Sequence, residues 1–243
     1  SRLCYQACDH TITLFQGNQA HQLADGAIAS RMDIIPNGVD LQRFGGITRH
    51  RTAAPSMALI GRVVPIKDIK SYIRAVSIIK QTVPDIKAYI IGPTDEDKDY
   101  YNECETMVAL LGLGENIEFT GRANVEDYLD HISVLVLSSL SESQPLVLLE
   151  AGACGIPLVA TDVGACREII EGSEHEEGDI GPGGFVTPMA SPNVIAESVY
   201  RLLSEQDLYE QCSAAMKERV RRYYDLNEHQ QRYRDLYAQY LGR

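Results

Sequence analysis

The sequence lacks any uninterrupted apolar run that approaches the ~18 residues of a membrane-spanning helix. Its first residues also lack the basic-then-apolar pattern of a secretory signal peptide. Both absences argue against an integral membrane protein or a secreted one. We therefore expect a soluble, cytoplasmic protein.

Cysteine patterns for metals or disulfides are also missing. The six cysteines form no Cys-x-x-Cys pair, and none has a histidine at metal-ligand spacing. Free thiols in a reducing compartment are the simplest explanation.

Basic residues are scarce, with 22 Lys and Arg against 34 Asp and Glu and a formal net charge of -12. Such an acidic chain needs a local basic patch to bind nucleic acid. The densest basic stretch, 217–222, contains Arg219, Arg221 and Arg222 and lies on a predicted helix. It lacks interleaved aromatic residues for base stacking. We interpret it as a solvated helix face or a docking surface and expect no nucleic-acid partner.

Strand-like and helix-like segments alternate from residue 56 onward. This rhythm is typical of a parallel α/β sheet. The sequence predicts a Rossmann-like, doubly wound parallel sheet of about six strands, with ligands bound beyond the carboxyl ends of the strands. The expected strands are 57–61, 88–91, 117–119, 134–137, 158–160 and 185–187, and the first of them precedes a helix over 68–83.

The chain divides into three predicted parts. Residues 1–45 contain a strand at 11–15, a helix at about 18–25 and a strand at 33–35, which we interpret as the tail of a preceding domain and its linker. Residues 46–225 form the sheet domain, and 226–243 form a C-terminal helix. A chain that opens at Ser-Arg-Leu also looks like a piece of something longer.

Two carboxylates eight positions apart mark the most informative segment. Glu142 follows the strand at 134–137 in a loop, and Glu150 lies about one turn into the next helix. The amides of Leu146 and Val147 fall at the start of that helix, where unpaired N–H groups and the helix dipole favour an anion. Acids beside an anion site suggest a ligand with both phosphate and hydroxyl groups, such as a nucleotide sugar.

The segment 61–67 places two cations, Arg62 and Lys67, on the loop after the first strand of the sheet. Two fixed cations can neutralise a leaving diphosphate without a metal ion. Basic residues on a solvated loop are the commoner explanation when such a pair stands alone. The anion-ready helix start on the same edge of the sheet favours the functional interpretation.

Other polar segments are less informative. Gly121 and Arg122 follow the third strand, where glycine would let backbone groups approach a flat base, although an ordinary turn explains the glycine equally well. The acids at 95–97 suit either a divalent cation or helix capping, and capping is the commoner case. His175 and the acids around it are interpreted as solvated.

With these residues in place, the chain resembles the C-terminal half of the family 4 retaining glycosyltransferases of the GT-B fold. The motifs that carry the resemblance are 35–40 with Phe44, the Arg62 and Lys67 pair, and Glu142 with Glu150 as an E-x7-E motif. Segments 61–69, 92–97 and 162–168 resemble the PelF branch, which acts in Pel exopolysaccharide synthesis. Asp68 replaces the usual glycine, as in that branch, while Ser143 replaces a glycine found in many relatives.

The resemblance implies a UDP-sugar site that needs no metal, with UDP-glucose as the donor in PelF-like proteins. Glu142 would be the catalytic residue, orienting the donor sugar and stabilising positive charge at its anomeric carbon. Glu150 would bind the ribose, and the backbone at Gly121 and Arg122 would meet the uracil. The diphosphate would be held by Arg62, Lys67 and the amides of Leu146 and Val147.

A GT-B enzyme has two Rossmann-like domains, and here only the last unit of the first one is expected, in residues 1–35. The resemblance therefore implies that this chain binds donor but does not transfer sugar alone. Its C-terminal helix would cross back to the missing N-terminal domain. Without that domain, the apolar face of the helix should pack on residues 1–35 or form a dimer with a second copy. That face contains Tyr233, Leu236, Tyr237 and Tyr240, with Leu226 at its entry.

The implied activity is transfer of a hexose to a growing polysaccharide acceptor, next to a membrane-bound synthase complex at the inner membrane. Two alternatives stay open. One is a nucleotide-sugar-binding or scaffold module in such a complex, and the other is a UDP-sugar epimerase, which would need acid and base groups not identified here.

Overall fold

The computed structural model describes residues 2–47 and 54–241. The strands are β1 Thr11–Thr13, β2 Met32–Ile34, β3 Ser56–Ile60, β4 Lys87–Ile91, β5 Ile117–Gly121, β6 Val134–Leu137, β7 Leu158–Thr161 and β8 Gly184–Thr187. The helices are α1 Arg2–Ala7, α2 Gln16–Ala24, α3 Leu41–Phe44, α4 Ile69–Ile79, α5 Lys98–Leu110, α6 Glu126–Leu129, α7 Leu146–Ala153, α8 Cys166–Glu171, α9 Pro192–Ser204, α10 Gln206–Tyr223 and α11 Leu226–Leu241.

The central sheet has six parallel strands in the order β5-β4-β3-β6-β7-β8. This arrangement confirms the predicted doubly wound sheet. The strand order reverses between β3 and β6, which pair through Met57 with Val134 and Ala58 with Leu135. The loops that leave the carboxyl ends of these two strands lie at this switch point, where doubly wound sheets bind ligands in a crevice.

Helices cover both faces of the sheet. On one face α4, α5 and α9 pack together, and on the other α7, α8 and the second half of α10 do so. The central strands β6 and β7 are buried along their whole length, as expected of parallel strands covered on both sides. The site loops therefore rest on a rigid core.

Helix α4 shows how the sequence pattern produces this packing. Ile69, Tyr72, Ile73 and Val76 recur at helical spacing and are fully buried. The Tyr72 hydroxyl donates to the carbonyl oxygens of Met57 and Tyr89, joining the helix to two strands. The helix ends at Ile79, earlier than the predicted 68–83, because a turn follows before the proline.

Residues 2–47 form a small separate layer in which β1 and β2 make a two-stranded parallel sheet. The short helix α3, which the sequence pattern did not predict, begins where Asp40 accepts from the amides of Gln42 and Arg43. Its Phe44 is buried against the main core. The layer is thus anchored to the central sheet.

Helix α11 returns to this layer. Arg232 donates to the carbonyl oxygen of Ile34 at 2.6 Å, and the Tyr240 hydroxyl lies 3.3 Å from His10 Nδ1. Leu236 is buried, while Tyr237 is 62% exposed. The helix packs on residues 1–35 as predicted, but part of its apolar face stays open.

The basic stretch on α10 corrects one prediction. Arg219 is fully buried, not solvated: it pairs with Glu176 at 2.7 Å and donates to the carbonyl oxygens of Ile170 and Gly181. Glu176, one of the acids interpreted as solvated, has a side chain that is only 9% exposed. A buried guanidinium needs these partners, because an unpaired charge is costly away from water.

The neighbouring residues follow the prediction. Arg221 and Arg222 stay at the surface and pair with Glu218, and His175 is exposed. Within the described ranges, none of the helices has the length and apolarity needed to cross a membrane.

Candidate functional site

Lys67 and Glu142 meet at the crevice between β3 and β6. Lys67 follows β3 in the turn at Pro65–Lys67, and Glu142 lies in the loop after β6. Lys67 Nζ lies 2.5 Å from Glu142 Oε1, and both side chains are mostly buried. Residues 75 positions apart in sequence thus form one charged pair where the fold opens for a ligand.

Hydrogen bonds lock the two loops together behind this pair. The Ser138 hydroxyl donates to the carbonyl oxygens of Lys67 and Asp68, at 2.9 and 3.0 Å. The Leu140 amide donates to the carbonyl oxygen of Ile66 at 2.8 Å. The positions of Lys67 and Glu142 are therefore set by backbone contacts as well as by their own charges.

Asp68 explains how the turn at Lys67 enters helix α4. Its backbone is left-handed, with φ 45°, a conformation that glycine adopts freely and that aspartate tolerates better than most residues. Its carboxylate also accepts from the Ser71 amide at the start of α4. Aspartate can thus replace the family's usual glycine and cap the helix.

Gly164 supports Glu142 from the other side. A Cβ atom on this residue would lie 2.2 Å from the Ser143 carbonyl oxygen and 2.5 Å from that of Glu142. The Ala165 amide donates to the Ser143 carbonyl oxygen at 2.8 Å. The loop after β7 therefore presses directly on the backbone that carries Glu142, and only glycine fits there.

Helix α7 begins at Leu146, one residue before the start at Val147 that the sequence predicted, so the amides of Leu146 and Val147 lie at its first turn. These amides have no acceptor one turn earlier within the helix. The preceding Gln144 is buried and accepts from the Asn37 amide at 2.6 Å, and Asn37 Nδ2 donates to its carbonyl oxygen. The segment before the sheet domain thus fixes the entry to α7.

Glu150 is half-buried on α7, and burial raises the pKa of its carboxyl group. The guanidinium of Arg43 opposes that rise in pKa, whereas the carboxylate of Glu126 adds to it. Arg43 and Glu126 form an ion pair with each other. The sequence analysis did not single out either residue, because they lie on separate short helices more than 80 positions apart.

The other predicted cations have acidic partners. Arg62 pairs with Glu96 at 2.8 Å and Arg122 with Asp95 at 3.4 Å, all four side chains being largely exposed. The acids at 95 and 96 were expected to cap a helix, so this pairing corrects that interpretation. Gly121 has φ +67° and open space around it.

Close backbone contacts order the loops along this edge. Asp97 does cap α5, accepting from the Tyr100 amide. Gly92 sits so close to the preceding loop that a Cβ atom there would lie 2.1 Å from the Gly61 carbonyl oxygen. The Gly92 amide in turn donates to the Gly121 carbonyl oxygen. The exits of β3, β4 and β5 are therefore packed side by side.

The site thus combines cations, helix amides and two carboxylates on one edge of the sheet. The arrangement can hold an anion beside Lys67 and accept hydroxyl groups at Glu142 and Glu150. No group of three or more His, Cys, Asp or Glu suited to a metal ion occurs in the described parts of the chain, 2–47 and 54–241.

A family model described as "Glycosyl transferases group 1" matches residues 47–219, which is well over half of the chain. The chain belongs to the group 1 glycosyltransferases. The six-stranded parallel sheet, with its Rossmann-like strand order, agrees with this family.

Two curated relatives of this glycosyltransferase chain are D-inositol 3-phosphate glycosyltransferases. The protein from Streptomyces griseus is 29% identical over 208 residues, covering 78% of this chain and 42% of the relative. The protein from Geodermatophilus obscurus is 28% identical over 209 residues, covering 79% and 45%. The chain therefore spans less than half the length of these relatives.

Solved structures share the fold. Sucrose-phosphate synthase from Thermosynechococcus elongatus superposes with a TM-score of 0.84 and 21% identity, covering 99% of this chain and 60% of that one. Anabaena HepE in complex with UDP-glucose gives a TM-score of 0.81 and 18% identity, covering 96% and 64%. At such identity, these neighbours show the fold alone, which is that of a Rossmann-like domain of the GT-B type.

Proposed function

We propose that this chain is the donor-binding half of a retaining glycosyltransferase that moves a hexose, glucose, from a UDP-sugar to a growing exopolysaccharide. The observation that carries the proposal is the Lys67–Glu142 pair at the crevice between β3 and β6. It puts a cation for phosphate and an acceptor for a sugar hydroxyl at adjacent points. The UDP-glucose complex of HepE, a neighbour in fold, supports this donor class.

Each predicted residue has a role in the proposed complex. Lys67 and Arg62 bind the diphosphate with the α7 amides of Leu146 and Val147, because cations and a helix start together favour a dianion. Glu150 accepts the ribose hydroxyls, and the backbone at Gly121 and Arg122 meets the uracil. Charge neutralisation by side chains and amides leaves no step that needs a metal ion.

In the proposed reaction, the bond between the anomeric carbon and the diphosphate oxygen breaks. The acceptor oxygen bonds to that carbon on the same face, and its proton passes to the diphosphate. Glu142 holds a sugar hydroxyl and stabilises the positive charge that develops at the ring. This sequence of events retains the anomeric configuration.

The remaining parts of the proposal concern the whole enzyme. The chain covers 42% and 45% of its curated relatives, which supports a further N-terminal domain that contacts the acceptor. In the proposed architecture, residues 1–45 and 226–243 belong with that domain, and 46–225 bind the donor. We further propose that the chain alone binds donor without transferring sugar, and that the enzyme is of the PelF type, beside a membrane-bound synthase complex.

Titration with UDP and UDP-glucose tests the donor site. We expect binding by the wild type and weaker binding by Lys67→Ala, Arg62→Ala and Glu150→Ala. Lys87→Ala is the matched control, because Lys87 starts β4 at the opposite edge of the sheet. Absence of binding, or equal binding by all variants, would contradict the proposal. A full-length protein that binds UDP-glucose without ever consuming it would instead support a scaffold.

A further inference from the structure

The two carboxylate oxygens of Glu142 have different surroundings. Oε1 accepts from Lys67 Nζ at 2.5 Å and from the Ser139 hydroxyl at 2.7 Å. Oε2 has no hydrogen-bond partner within the described part of the chain, and it is not fully buried. The carboxylate is therefore held through one oxygen, and the other is accessible to accept a further hydrogen bond.

Ser139 is built into the core. The residue is 1% exposed, and its carbonyl oxygen accepts from the Thr161 hydroxyl at 2.6 Å. Thr161 is itself fully buried at the end of β7. The backbone of Ser139 is thus fixed by the neighbouring strand of the sheet, independently of Lys67.

A neutral hydroxyl suits this place for a physical reason. In the proposed complex Lys67 also faces the diphosphate, whose charge competes with Glu142 for the ammonium group. The Ser139 hydroxyl carries no charge and lies on the core side of Glu142, so it keeps its bond to Oε1 when the donor binds. Without the Ser139 hydroxyl, the Glu142 carboxylate would be free to rotate away from this position once Lys67 turns to the diphosphate.

We infer that Ser139 is a positioning residue for donor recognition: it holds Glu142 through Oε1 so that Oε2 receives a hydroxyl of the donor sugar. This inference rests on the proposed function, and it adds the residue that orients the carboxylate and the oxygen that meets the sugar. Thr161 supports Ser139 from behind. Lys67 is the one member of this network that also meets the nucleotide part of the donor in the proposed complex.

The experiment compares the Kd for UDP with the Kd for UDP-glucose, measured by calorimetry on the 243-residue chain. The Kd for UDP divided by the Kd for UDP-glucose gives a ratio whose change between variants reports the sugar contact, because the extra charge on the free terminal phosphate of UDP is the same for every variant. Ser139→Ala is expected to lower that ratio by about tenfold, the effect of losing a hydrogen bond to a charged group, while the Kd for UDP stays unchanged. Ser139→Thr keeps a hydroxyl and should retain most of the preference.

Two further variants keep the test decisive. Thr161→Val leaves the Ser139 hydroxyl in place but removes the hydrogen bond to the Ser139 carbonyl oxygen. This variant should therefore lower the ratio less than Ser139→Ala does. Ser56→Ala is the matched control, because Ser56 is a buried serine at the amino end of β3 whose hydroxyl donates to the His131 carbonyl oxygen, away from Glu142. It should leave the ratio unchanged.

The outcomes separate the inference from the proposed function. A wild type that fails to bind UDP contradicts the donor site itself. A Ser139→Ala variant that binds UDP and keeps the wild-type ratio overturns the inference while leaving the nucleotide site intact. Equal weakening of both ligands by Ser139→Ala would show that Ser139 only maintains the loop, and this result would overturn the inference too.

Discussion

The buried pair of Arg219 and Glu176 gives the strongest test of how this fold is stabilised. Arg219 is 1% exposed and Glu176 9% exposed, with 2.7 Å between Nε and Oε1. Two more bonds tie the guanidinium to the carbonyl oxygens of Ile170 and Gly181, on either side of the loop that precedes β8. Removal of Glu176 leaves the Arg219 charge without its counter-ion. Removal of Arg219 leaves the Glu176 carboxylate and the two carbonyl oxygens without their donor.

The expected cost follows from this geometry. Glu176→Ala leaves a buried cation with only carbonyl partners and should lower the free energy of unfolding by about 3 kcal/mol, at the lower end of measured values for broken buried pairs. Arg219→Met also loses the carbonyl bonds and should cost about 5 kcal/mol. The double variant should cost at least ~2 kcal/mol less than the sum, because neither charge is then left unpaired.

Urea denaturation followed by far-ultraviolet circular dichroism measures these values, since the chain has no tryptophan to report unfolding by fluorescence. Arg221→Ala is the control on the same helix, because the Arg221 pair with Glu218 is exposed and should leave the midpoint unchanged. Costs below ~1 kcal/mol for both single variants, or strict additivity in the double variant, would refute the reasoning.

Three further predictions concern the site. Burial holds the pKa of Glu150 above its ordinary value, so the folded state binds this proton more tightly than the unfolded state and loses stability as pH rises through that pKa. Glu150→Gln should therefore stabilise the fold at neutral pH, and the gain should vanish in urea melts below about pH 4. Asp68→Ala should lower the free energy of unfolding by about 1–2 kcal/mol, because the helix loses its cap and alanine must adopt a left-handed backbone. Asp68→Gly loses the same cap without that backbone strain and should cost clearly less; equal losses would contradict this account. Gly164→Ala should abolish the preference for UDP-glucose because its Cβ would meet the Ser143 carbonyl oxygen at 2.2 Å. Gly112→Ala, with a similar positive φ but nothing within 4 Å, should bind UDP-glucose as the wild type does.

The sequence predicted the sheet because its signals are local. Alternation of apolar strands with amphipathic helices such as α4 is visible within a dozen residues. The start of α7 and the places of Glu142 and Glu150 followed from the same local patterns. Chain order then indicated which loops share the carboxyl edge.

Long-range pairing was not predictable from these patterns. Arg219 looks like its exposed neighbours in sequence, and only contact with Glu176, 43 positions away, explains its burial. Arg43 and Glu126 approach Glu150 because two separate segments, α3 and α6, converge on α7. Ser139 gave no signal, since a hydroxyl in an apolar stretch acquires meaning only when its partner is known.

The double connection near Val39 has a mechanical consequence. The Val39 amide donates to the Tyr224 carbonyl oxygen, and the Leu226 amide donates to the Val39 carbonyl oxygen. The segment that leads into the main sheet and the segment that leads from α10 to α11 therefore run side by side as one ribbon. Gly38 lies against Leu226 so tightly that an added Cβ would be 2.5 Å from its Cα. A rotation of residues 1–35 with α11 must therefore pivot at this ribbon. Asn37 belongs to the ribbon and is hydrogen-bonded to Gln144 through both its amide groups. A rotation about the ribbon would therefore also move the loop that carries Glu142.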